Sequence, residues 1–292
     1  MDLKKRLSQV LRHFGKQIPD KLYLRLLFYA EMGYSLSLKK PLTFNEKLQW
    51  LKLYNRNPKY TDIVDKVKVK DIVANTIGQE YIIPTFAVWQ STDQIDFSTL
   101  PSNFVLKTNN GGGNSAVFLI NDKSTIDIET IKRQLKKALA TSIYNRYREW
   151  PYKNIEKCIF AEELLGTNIE DYKFFCFDGY VDSVMVCSER NSGNTKFYFF
   201  NSEWKLLKYN IRGKEAPENF SLPKPTNLNK MFEIASVLSK GKPFVRIDLY
   251  NIEGKIYFGE MTFYPASGLD RNLLKETDKY FGDLINLNNY IS

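Results

Sequence analysis

Arg246, Asp248 and Glu260 stand where a core is expected in FVRIDLYNIEGKIYFGEMTFYPASG, residues 244–268, a stretch that otherwise reads as two apolar strands joined by a turn. Ions in a low-dielectric interior persist only when paired, hydrogen-bonded or bound to a metal. Carboxylate oxygens suit hard cations such as magnesium, and a guanidinium suits phosphate or carboxylate. A three-residue loop, Ile252 to Gly254, pairs Asn251 with Lys255, setting Asp248 opposite Phe258 and Arg246 opposite Glu260. Alternation then places Arg246, Asp248, Glu260 and Thr262 on one face. Val245, Ile247, Leu249, Tyr257 and Met261 take the other, which reads as the face packed on the core. A two-residue loop would split the carboxylates between faces. The competing reading of the same residues is a cross-strand Arg246–Glu260 pair on a solvated sheet.

A second cluster is FVLKTNNGGGNSAVFLI, where Lys107 ends a strand and Asn109 to Asn114 form a turn whose glycines let backbone N–H groups approach a ligand. It is neither a Walker loop nor a dinucleotide fingerprint, and reads as a phosphate cradle or as an ordinary hairpin tip. The one histidine, His13, lies near the N-terminus, far in sequence from both clusters. That sets aside mechanisms centred on imidazole. Cys158, Cys176 and Cys187 have spacings of neither a zinc site nor a redox pair and read as packed, reduced thiols. The chemistry falls to carboxylates, lysines and arginines.

The elements that must position these groups follow from pattern. At 292 residues and 43% hydrophobic the chain can bury one large or two modest cores. Its net charge of +9 favours an anionic partner, and no recognised nucleic-acid module is present. No apolar run is long enough for a membrane span and the start lacks a signal-peptide core, so a cytoplasmic protein is expected. Residues 1–60 read as basic helices with a capping box, Thr43 to Glu46; a solvated surface competes there with membrane or glycan contact. A helix is expected over 62–76, stopping at Gly78, then strands near 85 and over 104–120, and a helix over 126–140. Strands follow over 157–165, 172–187 and 195–200, then a loop or lid over 201–229, a helix over 229–240, the hairpin and a short helix. Strands and helices intermix without strict alternation, which makes the class α+β.

In this order the pieces resemble the ATP-grasp superfamily of carboxylate–amine ligases, nearest the branch associated with capsular polysaccharide and teichuronopeptide synthesis. The resemblance runs from Leu42 to Gly268 and rests on LTFNEKLQWLKLYNRNP, DKVKVKDIVANTIGQEYIIPT, FVLKTNNGGG, DYKFFCFDG and the hairpin. The hairpin is also similar to that of D-alanine:D-alanine ligases. The resemblance implies two α+β subdomains gripping ATP, taken here as 61–165 and 166–292 after a helical region 1–60. It implies ATP and Mg2+ as cofactors. Lys66, with Lys70 competing, and Lys107 would hold phosphates with Gly111, Gly112 and Gly113. Glu162, Glu163, Leu164 and Leu165 would form the adenine hinge, with Glu170 or Asp171 at the ribose. Lys173 reads as a third phosphate contact or a snorkelling lysine. Asp248, Glu260 and Thr262 would ligate metal, Thr262 standing where the family usually has Asn, and Arg246 would meet the transferring phosphoryl or the substrate carboxylate. Catalysis would fall to Arg246, Lys107 and Lys173. The partners implied are a carboxylate-bearing glycan and an amine such as an amino acid, with peripheral contact to membrane polysaccharide machinery and no nucleic acid. Ser188-Glu-Arg190 and the 201–229 loop are the candidate acceptor contacts. A sugar kinase and a non-catalytic nucleotide- or glycan-binding module are the rival functions.

Overall fold

The computed structural model describes residues 3–110, 117–167, 169–188 and 195–290. Helices α1 (Leu3–Phe14) and α2 (Asp20–Met32) close on each other through Leu11, Leu24, Leu27 and Phe28. Helix α3 (Phe44–Tyr54) starts at the expected capping box. The Thr43 hydroxyl accepts the Glu46 amide at 3.3 Å, and the Glu46 carboxylate accepts the Leu42 and Thr43 amides at 2.9 and 3.3 Å. Donors that a helix start leaves orphaned are thereby satisfied.

The helix expected over 62–76 is broken into α4 (Tyr60–Val64) and α5 (Lys68–Ile77). Asp65 causes the break: its carboxylate accepts the Val67 and Lys68 amides at 2.9 and 3.3 Å, a local bond that competes with helix continuation. Lys66 therefore stands in a turn rather than on a helix. Helix α5 stops at Gly78, as its sequence indicates.

Strands β1 (Thr85–Trp89), β2 (Phe104–Thr108), β3 (Val117–Ile120) and β4 (Ile159–Glu162) form an antiparallel sheet ordered β1-β4-β2-β3. Helix α6 (Ile128–Ala140) lays Ile131 and Leu135 against Phe104, Leu106 and Ile159, and the short α7 (Ile143–Tyr147) follows it. A larger antiparallel sheet contains β5 (Asp171–Phe177), β6 (Tyr180–Ser188), β7 (Lys196–Phe200), β8 (Leu206–Leu207), β9 (Val245–Ile252) and β10 (Lys255–Thr262), ordered β10-β9-β5-β6-β7-β8. The run 172–187 is not one strand: Asp178 and Gly179, with φ of 48° and 90°, fold it into the β5–β6 hairpin. An Asp-Gly pair favours that turn because both residues tolerate positive φ. The 201–229 stretch holds β8 and a single short helix, α8 (Ile211–Glu215).

Helix α9 (Leu228–Ser239) covers one side of this sheet with Met231, Ile234, Ala235 and Leu238. An aromatic group joins α3 and α10 (Lys275–Asp283) to the sheet through Phe44, Phe175, Phe177, Phe244 and Phe281, with Phe44 and Phe244 centroids 4.7 Å apart. Among the described residues no helix is long and apolar enough to cross a membrane.

The β9–β10 hairpin differs from its expected register in an instructive way. Lys255 pairs with Ile252, so the loop is two residues, Glu253 and Gly254, both at positive φ. On regular pairing such a loop would divide the carboxylates between faces. A bulge between Phe258 and Glu260 adds one residue and restores them, so that Asp248 faces Glu260 and Arg246 faces Thr262. Gly259 permits the bulge: a Cβ there would lie 3.1 Å from the Asp248 carbonyl and 3.2 Å from the Tyr250 ring. The four polar residues share a face, as expected, by a different route. Phe258, opposite Leu249, is buried with the core, while Tyr257 pairs with Tyr250 and is only half-buried, which corrects its expected place.

Candidate functional site

On one side of the larger sheet Arg246, Asp248, Glu260, Lys173, Asp171 and Lys66 form a connected chain of ion pairs. Arg246 donates Nε and Nη2 to the two oxygens of Asp248, both at 2.6 Å, and Nη2 also reaches Glu260 at 3.0 Å and Thr262 Oγ1 at 3.2 Å. The Thr262 hydroxyl donates to Glu260 at 3.0 Å. Sheet register places Lys173 opposite Asp248, and its ammonium bridges Asp171 at 2.5 Å and Asp248 at 2.6 Å. Lys66 reaches Glu260 at 3.0 Å from the α4–α5 turn. The Arg246–Glu260 pair exists, but within a cluster where the Arg246 and Asp248 side chains are only 12% and 2% exposed. Burial works to raise the Glu260 carboxyl, but Lys66, Arg246 and Lys173 overcome it and hold it far below the usual carboxylate range. Burial likewise works against the Arg246 charge, and Asp248 more than restores it.

The second ionic group lies on the smaller sheet. Glu162 is 4% exposed and pairs with Lys107 and, at 2.8 Å, with Lys70. Lys70 also donates to the Ile83 carbonyl at 2.8 Å and Thr85 Oγ1 at 2.6 Å. Both ammonium groups lie over the Phe160 ring. Burial raises Glu162, and Lys107 followed by Lys70 turns the net shift downward. Lys66 and Lys70, read as competitors, thus serve different places: one meets the hairpin, the other meets Glu162. Asp65, which the sequence reading did not single out, accepts Asn109 Nδ2 at 2.9 Å, tying the start of the glycine-rich segment to the turn that carries Lys66.

Beside Glu162 opens a cavity of about 290 Å³ with walls that include Val105, Leu119, Leu165, Ile169 and Tyr250, and with Lys107 at its edge. A slot with apolar side chains and a lysine in its wall suits a planar ring followed by phosphates. Glu162 to Leu165 line it, but the Glu162 side chain is a counter-ion to the lysines, and the Glu163 amide is already given to the Pro84 carbonyl at 2.9 Å. Asp171 is buried and bonded to Lys173, and Glu170 accepts the Tyr172 hydroxyl. Gly111, Gly112 and Gly113, and Glu189 and Arg190 among the proposed acceptor contacts, lie outside the described residues.

A larger cavity, about 680 Å³, opens at Arg246, Glu260 and Thr262 and reaches His13. Distance in sequence had placed that histidine away from the chemistry; packing of α1 against α7 brings it to the same cavity. Nothing in the spacing of His13 could have signalled this. Behind the cavity, Lys52 donates to Gln49, the Tyr147 carbonyl and the Ser267 carbonyl at 3.0, 2.9 and 2.8 Å. Burial pushes its ammonium down to about 8.

Among the described residues no group of three or more His, Cys, Asp or Glu side chains gathers as a metal site. Asp248 and Glu260 face each other with the Thr262 hydroxyl beside them. Two carboxylates and a hydroxyl fit magnesium, which takes few protein oxygens and fills its shell with phosphate and water.

A family model described as TupA-like ATPgrasp matches residues 46–286. No curated protein matches the sequence. Among solved structures, the D-alanine–D-alanine ligase from Bacillus anthracis complexed with ATP is 13% identical, over 76% of this chain and 63% of that one, with a TM-score of 0.44. The ATP-grasp ligase PsnB complexed with minimal precursor, Mg and ADP is 9% identical over 98% of this chain and 74% of that one, with a TM-score of 0.42. D-alanyl-alanine synthetase A from Vibrio cholerae is 11% identical over 84% and 67%, with a TM-score of 0.44. The chain thus spans less than two thirds of the length of the Bacillus enzyme.

Proposed function

We propose that this chain, which belongs to the TupA-like ATP-grasp family, is an ATP-dependent carboxylate–amine ligase of surface-polysaccharide modification. It would join an amino acid to a uronic acid. The observation that carries this is the pair of ionic groups, Lys107 and Lys70 on Glu162 and Lys66, Arg246 and Lys173 on the Asp248–Glu260 hairpin. These cations are held on carboxylates, and two of them, Lys107 and Arg246, line cavities with room for a base, a chain of phosphates and an acceptor. Phosphate oxygens can take the place of carboxylate oxygens on each cation.

The residues then divide the work. The slot beside Glu162 holds the base, Lys107 and Lys66 hold phosphates, and Arg246 orients the acceptor carboxylate against the terminal phosphorus. Asp248, Glu260 and Thr262 would hold magnesium, which when bound neutralises phosphate charge and aligns the oxygens. A carboxylate oxygen bonds to the terminal phosphorus as its bond to ADP breaks, giving an acyl phosphate. The amine nitrogen then bonds to the acyl carbon, phosphate leaves with the C–O bond electrons, and the amine loses a proton to solvent. The carboxylate is already ionised at neutral pH and needs no base.

One observation favours a second reading. His13 shares the larger cavity with Glu260 and Thr262, which supplies the base that a kinase acting on a sugar hydroxyl would use. Thr262, in place of the family's Asn, favours a third, a binding module without turnover. Incubation with ATP, magnesium, uronic-acid glycans and amino acids, followed by product masses, separates the three. A ligase adds an amino acid less water and releases ADP and phosphate, and hydroxylamine diverts it to a hydroxamate. A glycan that gains a phosphate group without free phosphate makes the protein a kinase, and nucleotide binding with no turnover makes it a module.

A further inference from the structure

The larger cavity has more room and more positive charge than a single carboxylate requires. Its volume of about 680 Å³ lies well inside the range of pockets that enclose a drug-sized ligand. It runs from Arg246, Glu260 and Thr262 to a wall made by the end of α1, the turn after it and α7, where Arg12, Lys16 and Arg146 stand. Arg12 is spoken for: it pairs with Glu31 and lies over the Tyr147 ring at 5.1 Å. Lys16 and Arg146 are exposed and, among the described residues, neither side chain has an ion pair or a hydrogen bond. The acids lining the cavity are Glu149, which accepts the Ser267 hydroxyl at 2.7 Å, and Glu260, which Lys66 and Arg246 neutralise. The far wall is left with uncompensated positive charge.

The wall is also held rigidly. Arg148, 2% exposed, donates to the Gly15 carbonyl at 2.7 Å, the Ile18 carbonyl at 3.2 Å and the Asn145 carbonyl. These bonds bracket Lys16 in sequence and precede Arg146 by one residue, so the two free cations sit on backbone that one buried guanidinium ties together. The backbone is therefore ordered before a ligand arrives, and only the two side chains remain to be ordered on binding.

We propose that this cavity is the acceptor subsite and that Lys16 and Arg146 bind a second anionic group of the acceptor, remote from the carboxylate presented at Arg246. The acceptor class is then a polyanionic glycan, with a carboxylate or phosphate on a neighbouring unit, in preference to a lone uronic acid. This rests on the ligase reading above.

The test compares the wild type with the Lys16→Ala/Arg146→Ala double variant, whose side chains are exposed and whose removal leaves the core untouched. Calorimetric binding of trigalacturonate and of monogalacturonate, without nucleotide, reads the wall directly. The variant should bind the trimer about tenfold more weakly, the monomer within about twofold of wild type, and ATP unchanged, with a shallower salt dependence for the trimer. Competition by a glycerol phosphate trimer decides whether phosphate as well as carboxylate is accepted. Equal trimer binding by the two proteins, or none by the wild type, overturns the subsite. If the binding difference persists but no carboxylate is turned over, the ligase reading fails and the subsite stands. If trimer and monomer are ligated with the same KM by both proteins, the ligase reading stands and the subsite fails.

Discussion

Two sets of buried cations in this molecule look alike and are held in opposite ways. Arg148 and Lys52 point mainly at backbone carbonyls: Arg148 at those of Gly15, Ile18 and Asn145, besides one ion pair with Asp20, and Lys52 at those of Tyr147 and Ser267. Lys107, Lys70, Lys66, Lys173 and Arg246 point mainly at carboxylates. A carbonyl is fixed by the chain and cannot leave, so the first set is a latch between α3, α7 and the N-terminal helices. A carboxylate sits on rotatable bonds and can be exchanged for phosphate or can turn to a metal, so the second set is a site at rest. Burial and charge alone would not separate the two; the nature of the acceptor does.

The sharpest way to break that contrast is Glu260→Gln, which keeps shape and removes one metal-facing charge. Turnover should fall by about 10⁴-fold, or about 5.4 kcal/mol of barrier. Arg246 keeps Asp248, so stability should change by only about 1 kcal/mol, read by chemical denaturation. A large loss of stability with magnesium-dependent nucleotide binding intact would move Glu260 into the latch class.

Arg148→Ala should do the reverse. It takes the guanidinium donor from three carbonyls and one partner from Asp20, which keeps Arg56 and Tyr144, and should cost about 2–3 kcal/mol of stability by denaturant titration while leaving ATP affinity unchanged in the folded protein. Lys107→Ala should weaken ATP about 100-fold and adenosine by less than about twofold, since the lost interaction is with phosphate. Lys107→Arg should recover part of the loss, because a planar fork replaces a point charge. Equal weakening of ATP and adenosine would show that Lys107 holds the sheet and not the ligand.

The smallest effect is in pH. Glu162 and Glu260 are both depressed in the folded state, so each contributes stability that is complete above the unfolded value of about 4.3 and is lost as pH falls below it. Between pH 4 and 3 the wild type should lose at most about 1 kcal/mol more than Glu260→Gln, the third of the Glu260 side chain that meets solvent softening the change. Parallel denaturation midpoints for the two proteins across that range would mean that Glu260 is not held ionised by its neighbours.

Local pattern determined a good deal. Alternation put Arg246 with Asp248 on one face of β9 and Glu260 with Thr262 on one face of β10, the Thr43–Glu46 box started a helix, and the strand before the glycine run carried Lys107 one residue from its end, because periodicity and capping act within a few residues. The turn at Asp178-Gly179 and the bulge at Gly259 were also written in the chain; an Asp-Gly pair and a lone strand glycine are their signals. What packing decided lies across long separations. Glu162 as anchor for Lys70 and Lys107, the parting of Lys66 from Lys70, and the arrival of His13, Lys16 and Arg146 at the cavity of Glu260 all join residues from different elements. No period within a helix or strand carries that information, because it depends on how α1, α5, α7 and the two sheets close over their cores, and only those closed cores set which charges meet.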